Sequence, residues 1–123
     1  MANPNIVNVT SIVGNSLSVA VLTTATQLAS NAASSGKVFK INSIVIANVD
    51  GTSAADITVN IYSAAALGGT AIAIASTISV PPDASLIVTD KTTMFYLLEN
   101  QSIGALASAS GDLVATISFE EIT

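Results

Sequence analysis

Apolar and polar residues alternate along most of this chain. From residue 56 to residue 62 the odd positions Ile57, Val59 and Ile61 are apolar, and the even positions up to 60 are polar. Such a period of two is typical of a β-strand with one buried face. The segments 72–80 and 113–119 repeat the alternation and are rich in β-branched residues, which favour strands. We therefore expect these runs to be strands, with the following apolar residues on their buried sides: Ile72, Ile74, Ile78, Val80, Leu113, Ala115, Ile117 and Phe119.

Turn-forming residues separate the apolar runs at intervals that favour short antiparallel strands. These breakers are Gly14-Asn15, the SNAASSG tract ending at Gly36, Asp50-Gly51, Gly68-Gly69, Pro81-Pro82-Asp83, Glu99-Asn100-Gln101 and Gly111-Asp112. No window has a sustained helical stripe, and the Ala-rich stretch TTATQLASNAASS is the one candidate for a helical turn. The pattern predicts an all-β protein of eight or nine strands, an antiparallel β-sandwich with the jelly roll as a candidate topology.

The composition indicates an assembled component. Only 9% of the 123 residues are charged, against the usual share of about 25%. Ser, Thr, Asn and Ala must therefore cover most of the surface, which suits permanent contact with other proteins. Three lysines, no arginine and a net charge of −5 argue against a nucleic-acid partner, because binding a phosphate backbone requires several basic groups.

The N-terminal third differs in charge from the rest. Residues 1–36 carry no charged side chain, and the first charge is Lys37. We expect residues 37–123 to form the sandwich core, with 1–36 either its first strands or an arm lying on a neighbour. The start MANPNIVNV lacks the basic region of a secretion signal. The apolar segment 64–80 is interrupted by glycines and hydroxyls, so we expect a turn and a strand there and no membrane span.

The chain has few residues that could act in catalysis. The chain has no histidine, cysteine or arginine, so the commonest general base, thiolate nucleophile and carboxylate clamp are missing. The SSGKVFK segment around Lys37 lacks the glycine-rich run of a phosphate loop. Glu120 and Glu121 are adjacent, so on a strand they point to opposite faces, and we interpret them as a solvated strand end that discourages edge pairing. We expect no catalytic residue, no cofactor and no metal.

The segment NVDGTSAADITVNIY raises the question of a calcium site. Asp50 and Asp56 are six residues apart, but two alanines stand where further oxygen ligands would be needed. Asp-Gly between two alternating apolar runs is instead a strong turn signal. We expect Asp50 to bond local backbone and Asp56 to lie on the outer face of the following strand.

Four motifs follow one another along the chain: the turn at Asn48–Asp56, the VPPDASL corner at Val80–Leu86, the YLLENQSI hairpin at Tyr96–Ile103 and the FEEI strand at Phe119–Ile122. In this order and spacing they resemble a family of small virion structural proteins of tailed bacteriophages, especially those infecting cyanobacteria and other aquatic bacteria. The hairpin is less acidic here than in that family. The resemblance implies a non-enzymatic β-sandwich in the phage particle, made in the bacterial cytoplasm.

We therefore expect a virion structural protein, first of all a capsid decoration or cement protein. Its partners would be the major capsid protein or other virion proteins and further copies of itself. The residues predicted for these contacts are Pro4, Ile6, Val7, Val9, Ile12, Val13, Phe95 and Leu98. For Phe95 and Leu98, core packing is an equally good interpretation. The alternatives are a neck, tail or fibre component and, more distantly, a carbohydrate-binding module that uses Tyr62 and Tyr96 as outward-facing platforms.

Overall fold

The computed structural model describes residues 4–123, and all regular structure in that range is β-strand. The nine strands are β1 (Ile12–Ala20), β2 (Thr26–Asn31), β3 (Val38–Asn48), β4 (Ala55–Ala64), β5 (Gly68–Val80), β6 (Ser85–Thr89), β7 (Phe95–Leu97), β8 (Gln101–Ala107) and β9 (Leu113–Ile122). Every pairing between them is antiparallel. The predicted all-β class and strand number are confirmed.

The strands form two sheets in the order of a jelly roll. The five-stranded sheet has the order β1-β9-β3-β6, with β7 also paired to β3, and the four-stranded sheet has the order β2-β8-β4-β5. Strands β6 and β7 share one edge, because β6 pairs with Ile44–Ala47 of β3 and β7 with Phe39–Ile41. If β6 and β7 are counted as one interrupted strand, each sheet has four strands, and their order in the two sheets is that of an eight-stranded jelly roll.

The core lies between the two sheets and follows the alternation of the sequence. Ile57 and Val59 of β4 are fully buried, while Asp56 and Thr58, which alternate with them, are half-exposed. In β9 Leu113, Ala115, Ile117 and Phe119 are likewise buried, and the ring of Phe119 stacks on that of Phe39 with centroids 5.2 Å apart. The predicted buried faces of β4 and β9 are confirmed.

Two local predictions near the N-terminus are wrong. Gly14-Asn15 is not a turn but lies inside β1, where both residues pair with β9. The Ala-rich stretch forms β2 and contains no helical turn, because Leu28 and Ala29 are buried in the core between the sheets. The other predicted breakers stand at or between strand ends.

The prediction for β5 is wrong in its burial. Ile72 is 64% exposed, Ile74 and Ile78 are 39% exposed each, and only Ala75 and Val80 are buried. Strand β5 is an edge strand, and two irregularities of its register with β4 lie at residues 73–78. Ile72 and Ile78 lie opposite Ile61 and Ile57, so they share the inner side of the sheet but stand at its rim.

Strand β9 is not a sheet edge, so the interpretation of Glu120 and Glu121 as edge protection is wrong. The strand lies between β1 and β3. The two carboxylates do point to opposite sides, as expected, and each meets a lysine: Lys40 Nζ is 3.9 Å from Glu120 Oε2, and Lys37 Nζ is 3.0 Å from Glu121 Oε1. Both pairs are partly exposed, which limits each to about 0–1 kcal/mol.

Candidate assembly surface

Three of the predicted contact residues meet at one place on the outside of the five-stranded sheet. Pro4, Ile6 and Leu98 line an apolar depression of about 220 Å³ together with Val38 and Tyr96. Leu98 follows β7, so the depression joins the N-terminal segment to an edge of the sheet. This surface was assembled from positions that are more than ninety residues apart in the chain.

The N-terminal segment, residues 4–11, is held to the C-terminus by backbone hydrogen bonds. Thr10 N–H donates to the carbonyl of Thr123 at 2.6 Å, and Thr123 N–H donates to the carbonyl of Ser11 at 2.9 Å. Beside this junction Val38 and Ile122 lie opposite each other and are buried, although neither belongs to the core between the sheets. They form a small second apolar cluster at the end of the sheet where the N-terminal segment lies.

Most of the predicted N-terminal contact residues are open to solvent. Val7 is 83% exposed, Ile6, Ile12 and Val13 are each more than half exposed, and Val9 is intermediate. Aliphatic side chains lose roughly 1.5–3 kcal/mol of favourable transfer free energy when they stay in water instead of a protein interior. A run of exposed aliphatic side chains on one segment is a candidate surface for contact with another protein.

Strand β1 continues this surface. Leu17 lies opposite the fully buried Ile117 and therefore on the inner side of the sheet, yet it is 45% exposed. Val19 is only partly buried, and Ile12 and Val13 are open. The four-stranded sheet thus leaves the inner side of β1 largely uncovered. We define the assembly surface as residues 4–20 together with Tyr96 and Leu98.

Phe95 and Leu98 have different environments. Phe95 packs against the core between the sheets, so it lies with the core residues and not on the assembly surface. Leu98 is exposed and lies on that surface. Whether these residues and the N-terminal ones contact partners stays a prediction.

Sequence reasoning did not identify several other large aliphatic residues as exposed, and it assigned Ile72, Ile74 and Ile78 to a buried face. The exposed residues are Leu17, Leu22, Val49, Ile72, Ile74, Ile78 and Ile87. Most of them belong to β1, β5 and β6, which are edge strands. Alternation alone assigns such residues to a buried face, and no local signal in the chain shows that the strand is an edge.

Charge near the assembly surface is low and paired. Glu121 accepts from the Asn15 amide at 2.8 Å and from Lys37 Nζ, while Glu120 lies near Lys40. Because β1 is uncharged and the carboxylates of its neighbour β9 lie near lysines, the net charge near this surface is small. The groups it presents to a partner are therefore mainly apolar side chains and backbone N–H and C=O groups.

The acidic turn at Asp50 has the geometry expected of a turn. Oδ1 of Asp50 accepts from Thr52 N–H at 2.8 Å, from the Thr52 hydroxyl at 2.9 Å and from Ser53 N–H at 3.3 Å. These bonds, the backbone N–H of Thr52 first, hold the pKa of Asp50 below its ordinary value. Among residues 4–123 no group of three or more His, Cys, Asp or Glu side chains is placed to hold a metal ion.

Asp112, and not Asp56, is the carboxylate near Asp50. It lies in the turn between β8 and β9, and Val49 N–H donates to its carbonyl at 2.7 Å. Desolvation raises the pKa of Asp112, and the charge and hydrogen bond of Asp50 raise it further. Asp56 is half-exposed in β4, with its N–H bonded to the Ser108 hydroxyl.

The two tyrosines do not form a common platform. Tyr96 is 40% exposed, but Tyr62 is only 8% exposed. Tyr62 alternates with the inward-facing Ile61 and lies opposite Ser102, so its outward phase is as predicted, but the prediction that it is available to a glycan is wrong. A Cβ atom on Gly104 would lie 2.7 Å from Leu67 Cδ2 and 3.0 Å from Tyr62 Cε1, so both side chains pack directly over that glycine. The turn after β4 has folded over the ring.

The fold and surface define a jelly-roll β-sandwich with an uncovered apolar edge. No protein-family model and no curated protein sequence matches the chain. Its fold is similar to that of the subunit of Bacillus endospore appendages, described as a novel family of disulfide-linked pili, with a TM-score of 0.53 and 19% identity over 92% of this chain and 88% of that chain.

A pentameric capsid protein isolated from metagenomic phage sequences has a TM-score of 0.42 and 16% identity, over 88% of this chain and 62% of that chain. The first similarity shows a shared fold, and the second is too low to support an argument. Within the described part of the chain there is no helix long and apolar enough to cross a membrane.

Proposed function

We propose that this protein is a non-enzymatic structural component that works by assembling with other protein subunits. The proposal rests on the assembly surface, where aliphatic side chains of one uncharged segment are exposed to water and lie outside the core. A subunit in a permanent assembly buries such a surface, while a freely diffusing monomer exposes it at the risk of aggregation.

We further propose a tailed-phage virion as the assembly, with the protein as a decoration subunit on the capsid. The order of motifs in the sequence supports this assignment, as does the low charge of the chain. The partners would be the major capsid protein and further copies of this chain. The mechanism is mechanical: many small apolar and backbone contacts across neighbouring capsid subunits would resist the internal pressure of the genome. A neck, tail or fibre position is the alternative within the same class.

Antibody labelling of intact virions, viewed by electron microscopy, tests the location. Gold distributed over the head is the expected result, and gold confined to the neck or tail would support the alternative position. Particles without label would contradict the virion assignment and direct attention to glycan binding at the exposed Tyr96.

Rebinding to stripped shells tests the surface. Replacing Val7 by serine should weaken binding by about tenfold, the equivalent of roughly 1.4 kcal/mol. The valine side chain is 83% exposed in the single chain, and the variant would lose the apolar contact that this side chain makes with the shell. The matched control is Val49→Ser, at an exposed valine in the loop after β3, which should bind as the unmodified protein does. Equal binding by both variants would contradict the role of the N-terminal segment.

A further inference from the structure

The outer edge of β1 offers backbone hydrogen-bonding groups at every second residue. Thr123 and Ser11 exchange both backbone hydrogen bonds, and Val21 N–H donates to the carbonyl of Leu113 at 2.9 Å. The register between these points is unbroken from Ile12↔Ile122 to Ala20↔Val114. In an antiparallel ladder, hydrogen-bonded and non-bonded pairs alternate. The odd residues of β1 therefore bond to β9, and the N–H and C=O groups of the even residues point outward.

This edge is the most regular of the four sheet edges. The register of β2 with β8 shifts between Gln27 and Ala29, and β5 has three register irregularities against β4. The remaining edge is divided between the short strands β6 and β7. Bulges, short strands, prolines and charges are the usual protections of an edge against pairing with another chain. Strand β1 has none of them over nine residues, as its sequence IVGNSLSVA shows.

We propose that β1 is a dimerisation strand, which pairs antiparallel with β1 of a second copy about a two-fold axis at Ser16. Centring the pair on Ser16 gives the longest overlap in which outward-pointing residues face one another. Its hydrogen-bonded pairs, each written with the first residue in one copy and the second in the other, are Ile12–Ala20, Gly14–Ser18, Ser16–Ser16, Ser18–Gly14 and Ala20–Ile12. All five even residues of each strand gain a partner in this register.

The side chains fit the same register. Val13 of one copy would lie opposite Val19 of the other, and Asn15 opposite Leu17, all on the inner side of the sheet. This brings together Val13 and Leu17, each about half exposed in the single chain, with the partly buried Val19. On the other side, Gly14, Ser16 and Ser18 are small, and an added Cβ at Gly14 would meet no atom within 4 Å. No charged side chain faces another charge within the strand pair.

The self-complementary register of β1 favours a second copy of this chain as its pairing partner. Pairing like with like gives an isologous, closed interface, the commonest form of homo-oligomer. The inference goes beyond the proposed function, because the dimer would form in solution whether or not the protein joins a phage particle. Virions without antibody label would not contradict the dimer, and a protein that does not dimerise would not contradict a decoration role.

Cysteine cross-linking tests the register, and the chain has no cysteine of its own. Residues in a hydrogen-bonded antiparallel pair have Cα atoms about 5.5 Å apart, within the range that a disulfide spans. Ser16→Cys should therefore give a covalent dimer under mild oxidation. Ser18→Cys, two residues along the same edge, should still dimerise but give no covalent dimer, because the two copies of residue 18 would be about 13 Å apart. A mixture of Gly14→Cys and Ser18→Cys should cross-link as a heterodimer.

Charge at the axis tests the interface without cross-linking. Ser16→Lys places two ammonium groups opposite each other, and sedimentation equilibrium should show the dimer dissociation constant raised about tenfold or more. Thr70→Lys, on the exposed edge strand β5, should leave it unchanged. A monomeric unmodified protein at about 100 μM, well above ordinary dimer constants, would overturn the proposal. So would dissociation by Thr70→Lys alone, or equal cross-linking of Ser16→Cys and Ser18→Cys.

Discussion

The backbone N–H of Leu67 donates a hydrogen bond to the hydroxyl of Ser102, 2.8 Å away on β8. That hydroxyl in turn donates to the carbonyl of Ala64 at 2.7 Å, so one buried serine holds both sides of the turn between β4 and β5. The turn needs support, because Ala66 and Leu67 both have positive φ, at 55° and 60°. For residues with a Cβ this conformation costs about 1–2 kcal/mol each.

Ser102→Ala should destabilise the protein by about 1–3 kcal/mol, because it leaves the Leu67 N–H and the Ala64 carbonyl without their partner. Urea unfolding followed by circular dichroism measures the change. Ser108→Ala is a control on an exposed serine near the other end of β8, with one bond to a backbone N–H. An equal or larger loss in the control would contradict the special role of Ser102.

Ala66→Asn should stabilise the protein by about 0.5–1 kcal/mol. The φ of Ala66 is positive and its side chain is exposed, and asparagine tolerates this left-handed conformation better than alanine does. Thermal unfolding provides the measurement. The same change at Ala33, an exposed loop alanine that is not among the positive-φ residues, should have no stabilising effect. A lower midpoint for Ala66→Asn would show that the strain lies elsewhere.

Asn48→Ala should cost about 2–4 kcal/mol of unfolding free energy. The Asn48 amide is buried and donates to the carbonyls of Ser53 and Val80, both at 2.9 Å, while its oxygen accepts from Asp50 N–H. Without the Asn48 amide these backbone groups lose their hydrogen-bond partner inside the protein. Chemical denaturation measures the difference against Asn60→Ala, a half-exposed strand asparagine for which we expect less than about 0.5 kcal/mol. Similar losses in the two variants would contradict the argument.

Asp50→Asn should lower the pKa of Asp112 toward its ordinary value. The charge of Asp50 helps to raise that pKa, although desolvation is the larger cause and persists in the variant. Carboxyl carbon NMR across acidic pH follows the titration directly. Asp56→Asn is the control, since Asp56 is not among the groups that act on Asp112. An unmoved Asp112 titration would mean that the two turns do not interact in solution.

The two carboxyl groups should also have opposite effects on stability with pH. The pKa of Asp112 is raised in the folded state, so its contribution to stability is present below the unfolded pKa and is lost as pH rises through the folded value. The pKa of Asp50 is lowered, so its contribution is present above 3.8 and is lost as pH falls through the folded value. Asp50→Asn should therefore flatten the acid side of the stability curve.

Local pattern determined much of this protein. The alternation of β4 and β9, the Asp50 turn and most strand boundaries could be predicted, because side-chain direction in a strand and backbone bonding in a turn depend on near neighbours in the chain. The all-β class and the strand number follow from the same information. So does the weak charge of the surface, which is a matter of composition.

Tertiary structure decided which strands are edges and what covers each face. Ile72 and Leu17 alternate as buried residues do, yet they stand at the rims of the two sheets, and Tyr62 is buried by a turn that returns across Gly104. The approach of Asp112 to Asp50 joins turns sixty residues apart. Strand order depends on pairings between distant segments, and burial depends on what that order places above each side chain. No period in the sequence encodes either one, so the free edge of β1 became visible only in the folded chain.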